Sequence, residues 1–263
     1  MTKPLRLALA TRCLAQPLKP ALMLASQLGA TGVQLDARNE AKPTEMSGTG
    51  RRQFAHVLAE IGLQLASLDF PLRRPLWDAE RLDARVEALK QTMEFAYELK
   101  SRTVTVRMGG LPGESDIAGQ SLLKGVLDDL ARHGNHVGVT VAVGLGREPA
   151  ARLVEVLGAV TGGPIGVNFD PAAAVTSGES PVKALEALGP FVAHVMVRDA
   201  TRDSDGGGSE VPVGRGDVPW DEILAILQGT SYGGWLTVER TQGEDRAGDA
   251  GRAIRFLQSV YRG

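Results

Sequence analysis

The sequence predicts an α/β protein, a single-domain (β/α)8 barrel over residues 1–263. Eight short apolar or alternating runs recur along the chain, stretches of helical periodicity separate them, and no Pro-, Gly- and Ser-rich linker divides it. Strict strand–helix alternation implies a parallel sheet covered by helices. Eight of each, with no leftover segment, imply a closed barrel, and 263 residues suit one such domain. An open doubly wound sheet is the alternative topology.

In chain order the expected strands are 5–11, 32–37, 63–69, 103–108, 138–144, 165–170, 191–199 and 235–239. Each is short and apolar or alternating, as a strand buried against helices requires. The expected helices are 20–28, 50–61, 82–99, 115–133, 149–160, 182–188, 220–228 and 245–261. In 82–99, for example, Leu82, Val86, Leu89, Met93 and Ala96 recur every three or four residues and define one apolar face. Gly29, Gly32, Gly62 and Gly138 precede strands and suit the left-handed residue that ends a helix. The least regular piece, 199–219, carries DSDGGGSEVPVGRG. It reads as a glycine-rich loop after the seventh strand, either a lid or a plain surface loop.

Charge and composition narrow the partners. Lys and Arg number 29 against 31 Asp and Glu, a net charge of −2, and no basic run breaks the balance. Nucleic acid and anionic membrane are therefore not expected partners. The apolar run Leu5 to Ala10 is too short for a signal core or a membrane span, which predicts a cytoplasmic protein. Cys13 is the sole cysteine, so no intramolecular disulfide forms, and buried packing is its expected role. His133 and His136 have an H-x-x-H look but fall at a helix-to-strand connection, and His56 falls in a helix, so a metal role is not expected for them.

Side chains alternate inward and outward along a strand. Taking the polar strand ends as inward, Gln34 and Asp36, Ser67 and Asp69, Thr105 and Arg107, Asn168 and Asp170, His194, Met196 and Arg198, and Trp235, Thr237 and Glu239 face the lumen. The charged ones cluster at the C-terminal mouth, where barrel active sites lie. Such charges are costly to bury unless they pair with one another or serve a ligand. A purely internal network, such as Arg107 with Asp69 and Arg198 with Asp170 or Glu239, is the plain structural alternative.

Three segments carry a family resemblance. GPIGVNFDPAAAVTSGESP (163–181), FVAHVMVRDA (191–200) and VPVGRGDVPWDEILAIL followed by YGGWLTVE (211–227 and 232–239) resemble the sixth-, seventh- and eighth-strand motifs of xylose-isomerase-like sugar isomerases and epimerases. The resemblance implies a small sugar, polyol or sugar acid as ligand. It also implies a divalent ion, Mn²⁺ or Mg²⁺, held by a Glu ending the fifth strand, an Asp ending the sixth, a His in the seventh and a Glu ending the eighth. Asp170 and Glu239 match the sixth and eighth of these positions. Gly144 replaces the fifth-strand Glu and Met196 the seventh-strand His, while His194 remains two residues earlier. A thioether is a poor partner for a hard ion and glycine supplies no donor. Glu148 follows in the next loop, out of register.

Two function classes stay open. In the first, an isomerase or epimerase uses Glu239 and Asp170 as catalytic groups, with any metal on the same pair. Asp36, Asp69, Arg107, Asn168, His194, Arg198 and Arg215 would then bind substrate. In the second, a metal-free protein binds a sugar-like ligand or a partner without turnover. Metal-free acid–base chemistry by Glu239 with Asp36 or Asp69 is a further form of the first. Barrels of this group often form homodimers, so that assembly is also within the expectation.

Overall fold

The computed structural model describes residues 5–144, 146 and 148–262, apart from the side chain of Arg262. Residues 1–4 of the N-terminal segment and Leu145, beyond the fifth strand, lie outside the described residues. The elements follow in the expected alternation. They run β1 (Leu7–Ala10), α1 (Leu18–Gln27), β2 (Gly32–Asp36), α2 (Gly48–Glu60), β3 (Gln64–Asp69), α3 (Leu82–Glu98), β4 (Thr103–Arg107), α4 (Ile117–Val137), β5 (Thr140–Gly144), α5 (Ala150–Gly158), β6 (Gly166–Phe169), α6 (Pro171–Ser177), α7 (Pro181–Leu188), β7 (Val192–Val197), β8 (Asp199–Arg202), β9 (Gly208–Val211), α8 (Trp220–Gly229), β10 (Leu236–Val238) and α9 (Arg246–Arg262). Strands β1 to β7 and β10 are parallel neighbours, and β10 pairs with both β7 and β1, closing the barrel.

The strands are apolar because both faces are covered. Leu7 and Leu9 of β1, Val33 and Leu35 of β2, Val104 and Val106 of β4 and Val195 and Val197 of β7 meet the helices in one continuous core. Helix α3 sends Val86, Leu89, Met93 and Ala96 into it, as its periodicity implies. At the foot of the lumen Ala8, Ala66 and Trp235 form a separate apolar plug. Gly32 makes room for that plug: a Cβ there would sit 2.6 Å from the Trp235 ring. This corrects its expected role as a helix-ending residue, which Gly29, Gly62 and Gly138 do fill with positive φ.

Three further expectations change. Residues 171–177, outside the expected elements, are a helix. Asp170 caps it through Oδ1 to the N–H groups of Ala172 and Ala173, Pro171 opens it, and Gly178 ends it at φ 83°. The glycine-rich stretch after β7 is a β-hairpin, in which Asp199 pairs with Val211 and Arg202 with Gly208. Below its strands, the buried Asp199 carboxylate accepts from the N–H groups of Ala200, Gly214 and Val218 and from Trp220 Nε1. A pinned hairpin replaces the loop expected over 199–211. His133 and His136 lie within the last turns of α4 instead of a connection, and His133 faces Glu94 at 3.5 Å.

The candidate active site at the barrel mouth

The lumen is polar just below the mouth. Gln34 Nε2 donates to Ser67 Oγ at 2.9 Å and Thr105 Oγ1 at 3.2 Å. His194 contacts Asn168 Oδ1 through Nδ1 and Thr237 Oγ1 through Nε2, both at 2.8 Å, with Ser67 Oγ 3.3 Å from Nε2. Since Asn168 Oδ1 only accepts, the imidazole carries its proton on Nδ1 and accepts hydroxyl protons on Nε2. Burial holds His194 down at about 3, and the Arg12 charge pushes the same way, so it stays neutral. The strand register shifts at Val33/Gln34 and at Val167/Asn168, beside two of these polar side chains.

Above this layer lie the ionised groups. Glu239, at the end of β10, is 1% exposed. Arg12 donates its Nε–H to Glu239 Oε1 and its Nη1–H to Asp69 Oδ2, whose other oxygen accepts from Thr105 Oγ1 at 2.8 Å. Arg198 Nη1 donates to Asp170 Oδ2 at 2.8 Å and Nη2 to Glu210 Oε2 at 2.7 Å. Burial by itself weakens both guanidinium charges, but Asp69 and Glu239 around Arg12, and Asp170, Glu210 and Glu239 around Arg198, more than offset it. Of the five buried side-chain atoms without a hydrogen-bond partner among the described residues, two belong to this ionised group: Arg198 Nε, a donor, and Glu239 Oε2, an acceptor; a third, Gln34 Oε1, lies in the layer beneath. Arg198 Nε and Glu239 Oε2 face each other at 3.9 Å, with Arg107 Nη2 3.6 Å from the same oxygen and its side chain 64% exposed.

Glu210, on β9, joins this mouth to the surface. It also takes Arg240 Nη1 at 2.8 Å and the Thr241 hydroxyl, and Arg240 continues to Asp249, Arg252 and Asp245. The result is an alternating chain of charges, from Asp245 at the exposed start of α9 to Asp170 inside the mouth.

Most expected site residues meet here: Glu239, Asp170, Asp69, Arg107 and Arg198 at the mouth, Asn168 and His194 beneath. Asp36 does not. Its Oδ1 accepts from the N–H groups of Arg38 and Asn39 and its Oδ2 from the Asn39 amide, shaping the loop after β2. Arg215 lies exposed on the turn after β9, and no contact among the described residues ties its side chain to the mouth. The expected Arg107–Asp69 pair is replaced, because Arg12 holds Asp69 and Arg107 faces Glu239. Glu148 is bound to the N–H of Leu111 at 3.0 Å.

Arg12 and Glu210 are absent from the sequence reading. Arg12 sits in a 3-10 turn, Thr11–Leu14, just past β1, where strand parity no longer tells direction. Its one sequence signal is a lone Arg immediately after an apolar strand.

A closed parallel barrel with its ionised side chains at the C-terminal mouth defines the class. Within that class, a family model described as xylose isomerase-like TIM barrel matches residues 22–260, and the chain belongs to that family. Its structure is similar to a xylose isomerase domain protein from Planctomyces limnophilus (23% identity, 100% of this chain and 98% of that one, TM-score 0.85). It is also similar to an L-ribulose 3-epimerase (17%, 98% and 95%, TM-score 0.80). A third likeness is to a xylose isomerase-like TIM barrel protein from Mycobacterium smegmatis in complex with magnesium (17%, 92% and 88%, TM-score 0.76). Among curated proteins none matches.

The divalent ion that the family implies does not fit these side chains. One oxygen of Asp170 caps α6 and the other takes Arg198, while Glu239 gives one oxygen to Arg12 and keeps a single free one. Gly144 lies between Arg107 and Asn168 in register and offers no oxygen, and Met196 offers only sulfur. Among the described residues no three His, Cys, Asp or Glu side chains are grouped to hold an ion.

Proposed function

We propose that the mouth carries out a metal-free, isomerase-like proton transfer on a small sugar, polyol-derived carbonyl compound or sugar acid, with Glu239 as the base. The observation that carries this reading is the unpartnered donor–acceptor pair, Arg198 Nε and Glu239 Oε2, 3.9 Å apart. A carbonyl oxygen about 2.9 Å from Arg198 Nε has its neighbouring carbon roughly 2.4 Å away by bond geometry. With the groups that now bury both atoms drawn back, that carbon comes within about 3–3.5 Å of Oε2, a reactive separation.

Glu239 takes the proton from this carbon. The electron pair forms a carbon–carbon double bond and the carbonyl electrons move onto oxygen, where the Arg198 N–H stabilises the charge. A hydroxyl proton passes between the two oxygens, and Glu239 returns its proton to the former carbonyl carbon. Arg107 binds a further substrate oxygen or a carboxylate. One free base serves a same-face shift between adjacent carbons. Inversion needs a second acid on the opposite face, and Gly144 supplies none. That favours isomerisation over epimerisation.

The test is carbon–proton exchange in D2O, with EDTA present, across a panel of aldoses, ketoses and sugar acids, followed by proton NMR. Exchange should appear for a subset of the panel and fall about 10²–10⁴-fold in Glu239→Gln. Exchange that survives Glu239→Gln would refute the assignment. Saturable binding without any exchange would leave a binding protein, the reading that Gly144 favours.

A further inference from the structure

The guanidiniums at the mouth have a second property besides binding oxygens. Asp170 and Glu239 are the two carboxylates that the family resemblance marks as metal ligands, and each is engaged by a different arginine, Arg198 and Arg12. The two arginines come from unrelated places, the turn after β1 and the end of β7. Both are mostly buried, and both converge on Glu239. Together they carry two positive charges, the charge of one divalent ion.

We propose that Arg12 and Arg198 form a built-in replacement for the divalent cation, and that these guanidiniums, more than the missing ligands at Gly144 and Met196, keep a metal ion out. Four carboxylates at the mouth (Asp69, Asp170, Glu210 and Glu239) are matched by Arg12, Arg107, Arg198 and Arg240. A divalent ion added to this balanced set brings two uncompensated charges into a largely buried space, besides competing for carboxylate oxygens already in use. Restoring the two lost ligands does not change that. Gly144 has room for a side chain, since a Cβ there meets nothing closer than 3.6 Å, so a failure to regain metal would not come from crowding at that Cβ. The inference deepens the metal-free reading above and rests on it.

The experiment is Mn²⁺ titration monitored by electron paramagnetic resonance, on four full-length proteins: wild type, G144E/M196H, and that pair with R12M/R198M or with R12K/R198K. The R12M/R198M derivative is expected to bind Mn²⁺ at least about 100-fold more tightly than G144E/M196H, and the R12K/R198K derivative to stay as weak as G144E/M196H because it keeps the two charges. Equal affinity in G144E/M196H and its R12M/R198M derivative overturns the proposal. So does no binding by an R12M/R198M derivative that melts cooperatively. If that derivative does not fold, G144E/M196H/R12M and G144E/M196H/R198M replace it, each expected to gain about 10-fold, and no gain in either is equally fatal. Metal-free exchange that still depends on Glu239 would leave the proposed function standing if this inference failed. An exchange reaction abolished by EDTA would instead remove the function.

Discussion

Replacing Glu210 by Gln isolates the contribution of one buried charge to the hairpin and the mouth. The carboxylate receives Arg198, Arg240, the Thr241 hydroxyl and the Thr241 N–H. Burial raises its pKa, but the Thr241 hydroxyl, Arg198 and the Thr241 N–H outweigh it, bringing the group from an ordinary 4.5 down to about 2. At roughly 1.4 kcal/mol per pH unit this is about 3 kcal/mol, and screening at the rim leaves about 2 kcal/mol. Because the folded-state value is depressed, this stability is fully present above pH 4.5 and is lost as pH falls toward 2. Urea unfolding at pH 7 should therefore place the Glu210→Gln midpoint about 0.7–1 M below wild type, for a slope of 2–3 kcal/mol/M. At pH 3 the gap should be clearly narrower. A midpoint difference under about 0.2 M at pH 7, or one unchanged between pH 7 and pH 3, would refute the reasoning.

Three further outcomes are expected. The His194 ring should show the neutral, Nδ1-protonated pattern in nitrogen-15 NMR from pH 8 to pH 5; its depressed pKa means that stability present above the ordinary 6.5 declines as pH falls below it, and an imidazolium signal at pH 5.5 in folded protein would contradict the buried layer. Gly32→Ala drives a methyl into the Trp235 ring and should lower stability by about 1–3 kcal/mol in thermal or urea unfolding, whereas Gly48→Ala, with open space around it, should not. The Cys13 thiol, pushed up to about 11 chiefly by burial, should react with a disulfide reagent at pH 8 only after unfolding, so rapid labelling of native protein would show that the turn opens.

The barrel was legible in the sequence because its signals are local: apolar strands at regular spacing and helices with one greasy face. Strand alternation also placed Asn168, His194, Thr237 and Glu239 correctly within the lumen, since each lies on or next to a strand. Alternation fails at the ends of β1 and β2. Asp36 is one residue too far along β2 and bends into its own loop, and Arg12 gains its direction from a turn that Glu40 braces through Thr11. The hairpin was hidden for another reason. Residues 199–211 have the composition of a loop, and what holds them as strands is the β8–β9 pairing together with the Asp199 bonds and the pairs of Glu210 with Arg198 and Arg240. Helix α6, by contrast, is outside the expected helices although Asp170, Pro171 and Gly178 are its readable signs.

The chain of alternating charges from Asp245 to Asp170 also governs how this site can drift. Its outer link, Arg252 with Asp245, stands in solvent and loses little when either member changes. Each inner link leaves a stranded charge if only one member is replaced, so Arg198, Glu210 and Arg240 are free to change only as a set. Descendants of this protein should therefore vary freely at the α9 end of the chain. At the mouth they should keep all of its members or exchange them together.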